Sequence, residues 1–511
     1  MKDQQRKKQR VVERNNQDYI SKLPYSLLCN ILSSLKINEA VKTSVLSSNW
    51  RYIFTNPTNL IFDAQNMLVK DYPFPNICHL SKVLMFNIKM KRASTFVSNV
   101  NKYLSNVKNV QKIDKLKVCF TFRNKGYGCN DLEEWIRFAV ERNVEEIDLC
   151  LLEDNHLSAP NPNDGSFYVF PCDTFDFNST LKCLRLAHCV LAPLNSCNYG
   201  FSTLATLELF KVDLKSEEHI RILLSSCDNL ESLSFSECYN MDYLKLEHSF
   251  CKKLKYLKVN LCRQLKGIML KSNILETLEY VGSKVAFFFD APNLKSFFGY
   301  VSENWLVCKL STDLPQLEKL LLECCCMGDV MTKRFPTFEN LRHLEIIKVG
   351  IFRQDLSWIP VALNACPTIT KLKLHLRTYF NIDEELTAYW PPRCLHKHLK
   401  EITITGIRGH SSEIAIAIYL LRNAISLEKM IVDPHPRIYL GNGKCVHSEV
   451  CENWSRIEKH KVEFFLKKEV GSLVELLILL QRAPLPERAL TYHHPLACSP
   501  TKQISMTRLR E

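Results

Sequence analysis

The sequence predicts an α/β chain in which a small three-helix module precedes a long strand-bearing repeat array closed by a capping segment. A leucine-rich phrase recurs through the middle of the chain, a proline-led helical stretch stands near the amino terminus, and a strand–helix–strand pattern follows the last clear repeat.

The phrase L-x-x-L-x-L has its first position at Leu181, Leu204, Leu230, Leu254, Leu275, Leu294, Leu317, Leu341, Ile369 and Leu399, with weaker copies at Val144 and Leu427. Successive copies from Leu181 to Leu427 lie 19 to 30 residues apart. These spacings centre on the period of leucine-rich repeats, in which each unit contributes one strand to a continuous parallel sheet. Eight residues after the first leucine stands a cysteine in four copies, Cys189, Cys238, Cys262 and Cys325. With 22 cysteines in 511 residues, twelve copies would place only about half a cysteine there by chance. A small, buried, weakly hydrogen-bonding side chain suits the corner where a strand turns out of the sheet.

Side chains alternate along a strand, so positions one, four and six point into the core and positions three, five and seven point out. The outer face is then expected to carry Arg185, Glu208, Phe210, Tyr256, Lys258, Asn260, Glu279, Phe298, Tyr300, Lys319, Glu323, His343, Glu345, Lys371, Lys373 and His375. Mixed charge with interleaved aromatics marks a protein-binding surface rather than a phosphate track. The candidate target-binding residues are Arg185, Phe210, Tyr256, Lys258, Phe298, Tyr300, Lys319, His343, Lys371 and Lys373. Gly299 replaces a core leucine, and the proline-bearing stretch 155–175 reads as an insertion loop.

Residues 17–62 follow a helical pattern. Pro24 suits a first helical turn, where its missing N–H has no partner to lose. Leu23, Leu27, Leu28, Ile31, Leu32 and Leu35 form an i, i+3/i+4 stripe, Asn38-Glu39 starts a second helix, and Ser47 or Ser48 caps a third with Trp50, Ile53 and Phe54. Leu23-Pro24, the spaced Leu27, Ile31, Leu32 and Leu35, the run Glu39 to Ser47 and Trp50-Arg51 together resemble a plant-type F-box. The resemblance implies docking on the Skp adaptor of a Skp–cullin–F-box ubiquitin ligase through Leu23, Pro24, Leu27, Ile31, Leu32, Val45, Leu46, Trp50 and Arg51. It further implies that the repeats choose what is ubiquitinated. Tyr25-Ser26 and Ser48-Asn49 stand where the family commonly carries charge. An alternative of another class is therefore a repeat scaffold that binds partners without productive adaptor contact.

Residues 395–433 read as strand, helix and strand, with Ser411 or Ser412 capping a helix that turns Ile414, Ala417, Ile418 and Leu421 inward. Gly406, Arg408-Gly409, Glu413, Asn423-Ala424, Leu427-Glu428 and Asp433-Pro434 resemble the FBD domain that follows the repeats of plant F-box proteins. The expected organisation is a basic disordered tail (1–16), the F-box (17–62), a leucine-rich-repeat solenoid (100–394), an FBD-like cap (395–470) shielding the open end of the core, and a disordered tail (482–511).

Composition bounds the function classes. The chain is 46% hydrophobic and 24% charged, enough apolar material for a large core. Its net charge of +13 includes +4 in residues 1–14 and +3 in residues 482–511, so no dedicated nucleic-acid-binding body is expected. Apolar runs are far too short to span a membrane, and the basic, polar amino terminus is not a secretory signal. The expected address is therefore intracellular, nucleus and/or cytoplasm, with Arg6-Lys-Lys-Gln-Arg10 as a nuclear-localisation candidate and the cysteines free of a disulfide framework. The sequence contains no glycine-rich phosphate loop and no H-E-x-x-H pair. No cofactor or catalytic site is expected, and the chain is read as a non-catalytic receptor subunit. No metal is expected either. Cys324, Cys325 and Cys326 alternate across a strand, and Cys445, His447, Cys451 and His460 lack the paired short spacings of zinc modules.

Overall fold

The computed structural model describes most of residues 57–479 and scattered positions between Lys22 and Arg51; residues 1–21, 69–81, 121–127, 152–166, 193–199, 302–304, 325–334, 351–355, 379–393, 448–455 and 480–511, with some single positions, lie outside the described residues. The chain divides into two compact units, one running to Glu276 and including Val281–Asn293, the other comprising Thr277–Tyr280 and Leu294 onward.

The first unit carries a parallel ladder of β1 (Asn59–Asp63), β2 (Lys115–Cys119), β3 (Glu146–Cys150), β4 (Cys183–Ala187), β5 (Thr206–Phe210), β6 (Ser232–Ser236) and β7 (Tyr256–Asn260), each hydrogen-bonded to the next. The expected alternation is present. Leu184 and Leu186, Leu207 and Leu209, and Leu233 and Phe235 are buried, while the residues flanking them are not. The ladder begins inside the segment read as the helical module, because Leu60 and Phe62 point into the same core as the later leucines. Helices α1 (Lys82–Asn106) and α2 (Cys129–Val140) serve the early repeats. Trp135 of α2 is buried and donates its indole N–H to Asn101 Oδ1 of α1 at 2.7 Å. Helix α3 (Glu217–Ser225) is capped by Ser216, whose side chain accepts from the His219 N–H, with Glu217 and Glu218 in the first turn.

Each well-formed repeat of this unit leaves the sheet through one left-handed residue: His188, Lys211, Glu237 and Leu261 have φ between 50° and 60°. The next residue dives into the core. Cys189, Val212, Cys238 and Cys262 are all buried there, which is the corner expected of the recurring cysteine. The Cys238 Sγ lies 3.5 Å from the Leu209 carbonyl and 3.6 Å from that of Ser236. Cys325, Cys326 and the first half of the expected insertion loop fall outside the described residues. The second half of that loop is packed, with Phe167, Phe170 and Phe175 buried.

In the second unit the ladder comprises β8 (Thr277–Val281, of which the first four residues belong here), β9 (Ser296–Val301), β10 (Lys319–Cys324), β11 (His343–Gly350), β12 (Lys371–Thr378), β13 (Glu401–Thr405) and β14 (Lys429–Asp433). Its last rung is the strand Glu475–Ile478, parallel to β14. Helices α4 (Trp305–Asp313), α5 (Trp358–Asn364) and α6 (Ser411–Asn423) link successive strands, and α7 (Arg456–Glu469) packs on α6, with Arg422 and Glu469 paired at 2.6 Å. Gly299 leaves its core position to Phe297, whose ring would lie 2.5 Å from any Cβ at residue 299.

Two local expectations are corrected. Helix α6 is capped by His410 rather than Ser411 or Ser412, because Glu413 reaches back to close a capping box around His410. That shifts the inward stripe: Glu413, Ile414, Ile416, Ala417, Tyr419 and Leu420 are buried, whereas Ile418 and Leu421 are only half-buried. The outer face of the sheet, expected to stand open, is also overlaid in this unit by the segment after β14. Residues β15 (Arg437–Gly441) and β16 (Lys444–His447) form an antiparallel hairpin that lies on the outer face of the ladder.

Candidate functional site

At the amino-terminal module, the Pro24 carbonyl accepts from the Leu27 and Leu28 N–H groups at 3.0 and 3.2 Å, starting a helical turn as its position predicts. Leu28 and Trp50 form the module's buried core, with Leu23, Ile31 and Leu32 packed half-buried against them. Outward from this core stand Leu27, 47% exposed, and Val45, 79% exposed, together with the exposed Pro24 and Arg51. Trp50, expected among the contact residues, is instead internal at 3% exposure: its ring closes the module's own small core. Leu46 lies outside the described residues.

On the sheet face of the first unit, charges alternate across the strands. The Glu146 carboxylate accepts from Lys115 Nζ at 2.6 Å and pairs with Arg185, whose guanidinium also reaches Glu208 at 3.3 Å. Burial pushes the Glu146 carboxyl up, but Lys115 and Arg185 outweigh it and hold it below the usual range. Arg185 is therefore committed to its neighbours. Phe210, half-buried, carries the Lys211 ammonium 5.1 Å from its ring centre. Tyr256 and Lys258, also half-buried, continue the same face on β7.

Part of the sheet face of the second unit is covered. Tyr439 of β15 stacks on Phe298 with ring centroids 4.0 Å apart and donates its hydroxyl to Glu279. The Gly443 N–H in the hairpin turn donates back to the Tyr439 oxygen at 2.8 Å. Cys445 of β16 lies 3.1 Å from Glu345 Oε1. Several residues expected to face solvent are consequently buried: Glu279, Phe298, Glu345 and His375 are 6% exposed or less. Asn260, at the end of β7 in the first unit, is buried too. Phe298 is thus a hairpin contact rather than a free target-binding residue. Tyr300, Lys319, His343, Lys371 and Lys373 remain half-exposed around this cover, with Lys371 paired to Glu401.

Glu345 is the centre of charge beneath the hairpin. Its Oε2 lies 3.2 Å from Lys373 Nζ and 3.5 Å from His343 Nε2, and its Oε1 is 3.0 Å from His375 Nε2. Burial alone would raise this carboxyl, but the two histidines and the lysine hold it well below the usual carboxylate range. The same burial pushes the His343 imidazole down. Alternation placed Glu345 and His375 on this face. No local signal announces that Tyr439 and Cys445 cross it, since they lie 160 and 100 residues from their partners Glu279 and Glu345.

A helical module ahead of a leucine-rich parallel ladder defines an F-box/leucine-rich-repeat protein, and sequence comparison agrees. Residues 20–62 match the family described as F-box domain, and residues 104–479 match that described as At1g61320/AtMIF1, LRR domain. The chain belongs to the At1g61320/AtMIF1 leucine-rich-repeat family and carries an F-box. It is 25% identical to the Arabidopsis thaliana F-box/FBD/LRR-repeat protein At5g56420, over 82% of this chain and 92% of the relative. A second Arabidopsis F-box/FBD/LRR-repeat protein, At3g52680, is 25% identical over 82% of this chain and 86% of its own length. A third, At1g13570, is 30% identical over 46% of this chain and 50% of its own. Proteins of this class have a general substrate-adaptor role, non-catalytic and partnered with a Skp-type adaptor through the F-box. Among the described residues, no helix is long and apolar enough to cross a membrane.

Proposed function

We propose that this chain is the substrate-recognition subunit of a Skp–cullin–F-box ubiquitin ligase in the nucleus and/or cytoplasm. The observation that carries the reading is the exposure of Leu27 and Val45 on a module whose own core is already closed by Leu28 and Trp50. Large apolar side chains left outside so small a core call for a partner surface. Pro24 and Arg51 flank them, and Leu23, Ile31 and Leu32 offer their half-buried edges.

The target protein is recognised by the sheet face of the first unit, where Phe210, Tyr256 and Lys258 offer aromatic and cationic contacts inside a frame of paired charges. The mechanism is proximity: holding target and activated ubiquitin in one assembly raises their effective concentration, and the bond chemistry belongs to other subunits.

Binding of the purified full chain to a plant Skp adaptor tests the first step. Micromolar or tighter binding, lost in a Leu27→Asp/Val45→Asp variant that keeps its far-ultraviolet circular dichroism, is the expected outcome. A folded wild-type chain that binds no adaptor would leave a repeat scaffold outside any ligase.

A further inference from the structure

Glu345 of β11, His375 of β12 and Cys445 of the hairpin come from three separate stretches of sequence, yet their ligand atoms all lie within 4.8 Å of one another. Glu345 Oε1 is 3.0 Å from His375 Nε2 and 3.1 Å from Cys445 Sγ. Around a tetrahedral zinc with bonds of about 2.0–2.3 Å, neighbouring ligand atoms stand roughly 3.3–3.8 Å apart. The two pairs that share Glu345 Oε1 need only a few tenths of an ångström to reach that spacing, and the third pair, His375 Nε2 and Cys445 Sγ, already stands within 4.8 Å. Glu345 and His375 are 1% and 0% exposed, so this is no solvated surface cluster.

The donors also match the metal. One thiolate, one imidazole and one carboxylate suit a borderline-soft divalent ion, and the two anions cancel its charge in a buried place. The orienting contacts are present as well. His375 Nδ1 lies 2.8 Å from the buried Thr405 Oγ1, so when an ion takes the place of the Nε2–H contact with Glu345 the imidazole proton can sit on Nδ1, donated to Thr405, and turn the Nε2 lone pair to the ion. Lys373 Nζ holds Glu345 Oε2, leaving Oε1 to face the ion.

We propose that Glu345, His375 and Cys445 form a zinc site that fastens the 437–447 hairpin to the outer face of the second unit's sheet. Binding releases the Cys445 thiol proton to solvent and forms bonds from Sγ, His375 Nε2 and Glu345 Oε1, with the fourth tetrahedral position left to water. The metal thereby sets how firmly that part of the sheet is covered.

The test uses the full chain, stripped with a chelator and reloaded with Zn²⁺ or Co²⁺. One zinc per chain is expected, and Co²⁺ should give thiolate-to-metal charge transfer with the intense d–d bands of a tetrahedral site. His375→Ala and Cys445→Ser should lose both, while Cys308→Ala, at an exposed thiol elsewhere, keeps them. Thr405→Val should weaken binding about 10–100-fold through the imidazole's orientation. Amide exchange across 437–447 should slow on zinc addition in the wild type and not in Cys445→Ser. Because large changes risk unfolding, Glu345→Gln supplies a near-isosteric variant. Zinc binding by a folded Glu345→Gln chain at wild-type affinity, or cobalt spectra unchanged in His375→Ala and Cys445→Ser, would overturn the site.

Discussion

Tyr439 lies on Phe298 at a centroid distance of 4.0 Å and an interplanar angle of 24°, with its hydroxyl turned to Glu279. Stacking fixes the ring, and the hydroxyl anchors it to a buried carboxylate. Removing only the hydroxyl in Tyr439→Phe should cost about 1.5–3 kcal/mol of hairpin stability, the range for a hydrogen bond to a charged group. Tyr439→Ala also forfeits the stack, and is expected to free the hairpin. Amide exchange of residues 437–447 reads both; unchanged protection in the alanine variant would show that the ring does not hold the hairpin down.

Trp50 and Val45 separate folding from docking in the helical module. Trp50→Ala should destabilise the module by about 3–5 kcal/mol, since a large aromatic leaves a core too small to collapse around the gap. Val45→Asp, at a side chain 79% exposed, should change stability by less than about 0.5 kcal/mol and still weaken adaptor binding. Circular dichroism and adaptor titration on the same two proteins distinguish these effects.

Glu413 is buried at the first turn of α6, where its Oε2 accepts from the N–H groups of Arg408, Gly409 and His410 at 2.7, 2.9 and 3.1 Å. Glu413→Ala removes the acceptor that all three share, and the expected loss is about 3 kcal/mol or more. Urea unfolding followed by exchange in α6 and β13 measures it. The adjoining turn is equally constrained. Gly406 has φ +76°, and a Cβ there would stand 1.8 Å from the Leu376 carbonyl oxygen. Gly406→Ala should therefore be among the most damaging single-methyl additions in the chain.

Asp213 gives a pH-dependent prediction. Burial pushes its carboxyl up, but the Lys215 ammonium and N–H and the Asn240 amide outweigh that, leaving the pKa below the usual aspartate range. A depressed folded-state pKa adds stability that is fully present above the unfolded-state value and is lost as pH falls through the folded one. Asp213→Asn should thus be less stable than wild type at neutral pH by about 1–3 kcal/mol. The gap should narrow as the medium is acidified below the unfolded aspartate range. A gap that stays constant down the acid limb would show that Asp213 does not titrate with folding.

The repeat ladder was legible because two local signals coincide. Leucine spacing fixes which residues face inward, and the cysteine eight places on marks a corner that His188, Glu237 and Leu261 make by turning left-handed. The helical module was legible for a similar reason, since Pro24 and its leucine stripe act within a few turns. Trp50 was placed among the contact residues by resemblance, and its burial at 3% exposure was not legible there, because a shared motif does not show which of its side chains the module's own core has already taken up. The covered sheet face was hidden more deeply: Phe298 and Glu345 occupy the positions expected, and their burial depends on Tyr439 and Cys445 far along the chain. The FBD-like residues Gly406, Gly409 and Glu413 were recognisable by resemblance, and their backbone roles emerge only in the folded turn around His410.

Within each unit, neighbouring ladder strands pair residue for residue, as in Leu184 opposite Leu207 and Leu344 opposite Leu372, while the leucine phrase itself recurs at intervals of 19 to 30 residues. All the variation in repeat length is therefore absorbed outside the strands. Outside the strands that the 437–447 hairpin bridges, a rung can be gained or lost with the same residue-for-residue pairing between those that remain, so duplication of whole repeats can lengthen the recognition surface.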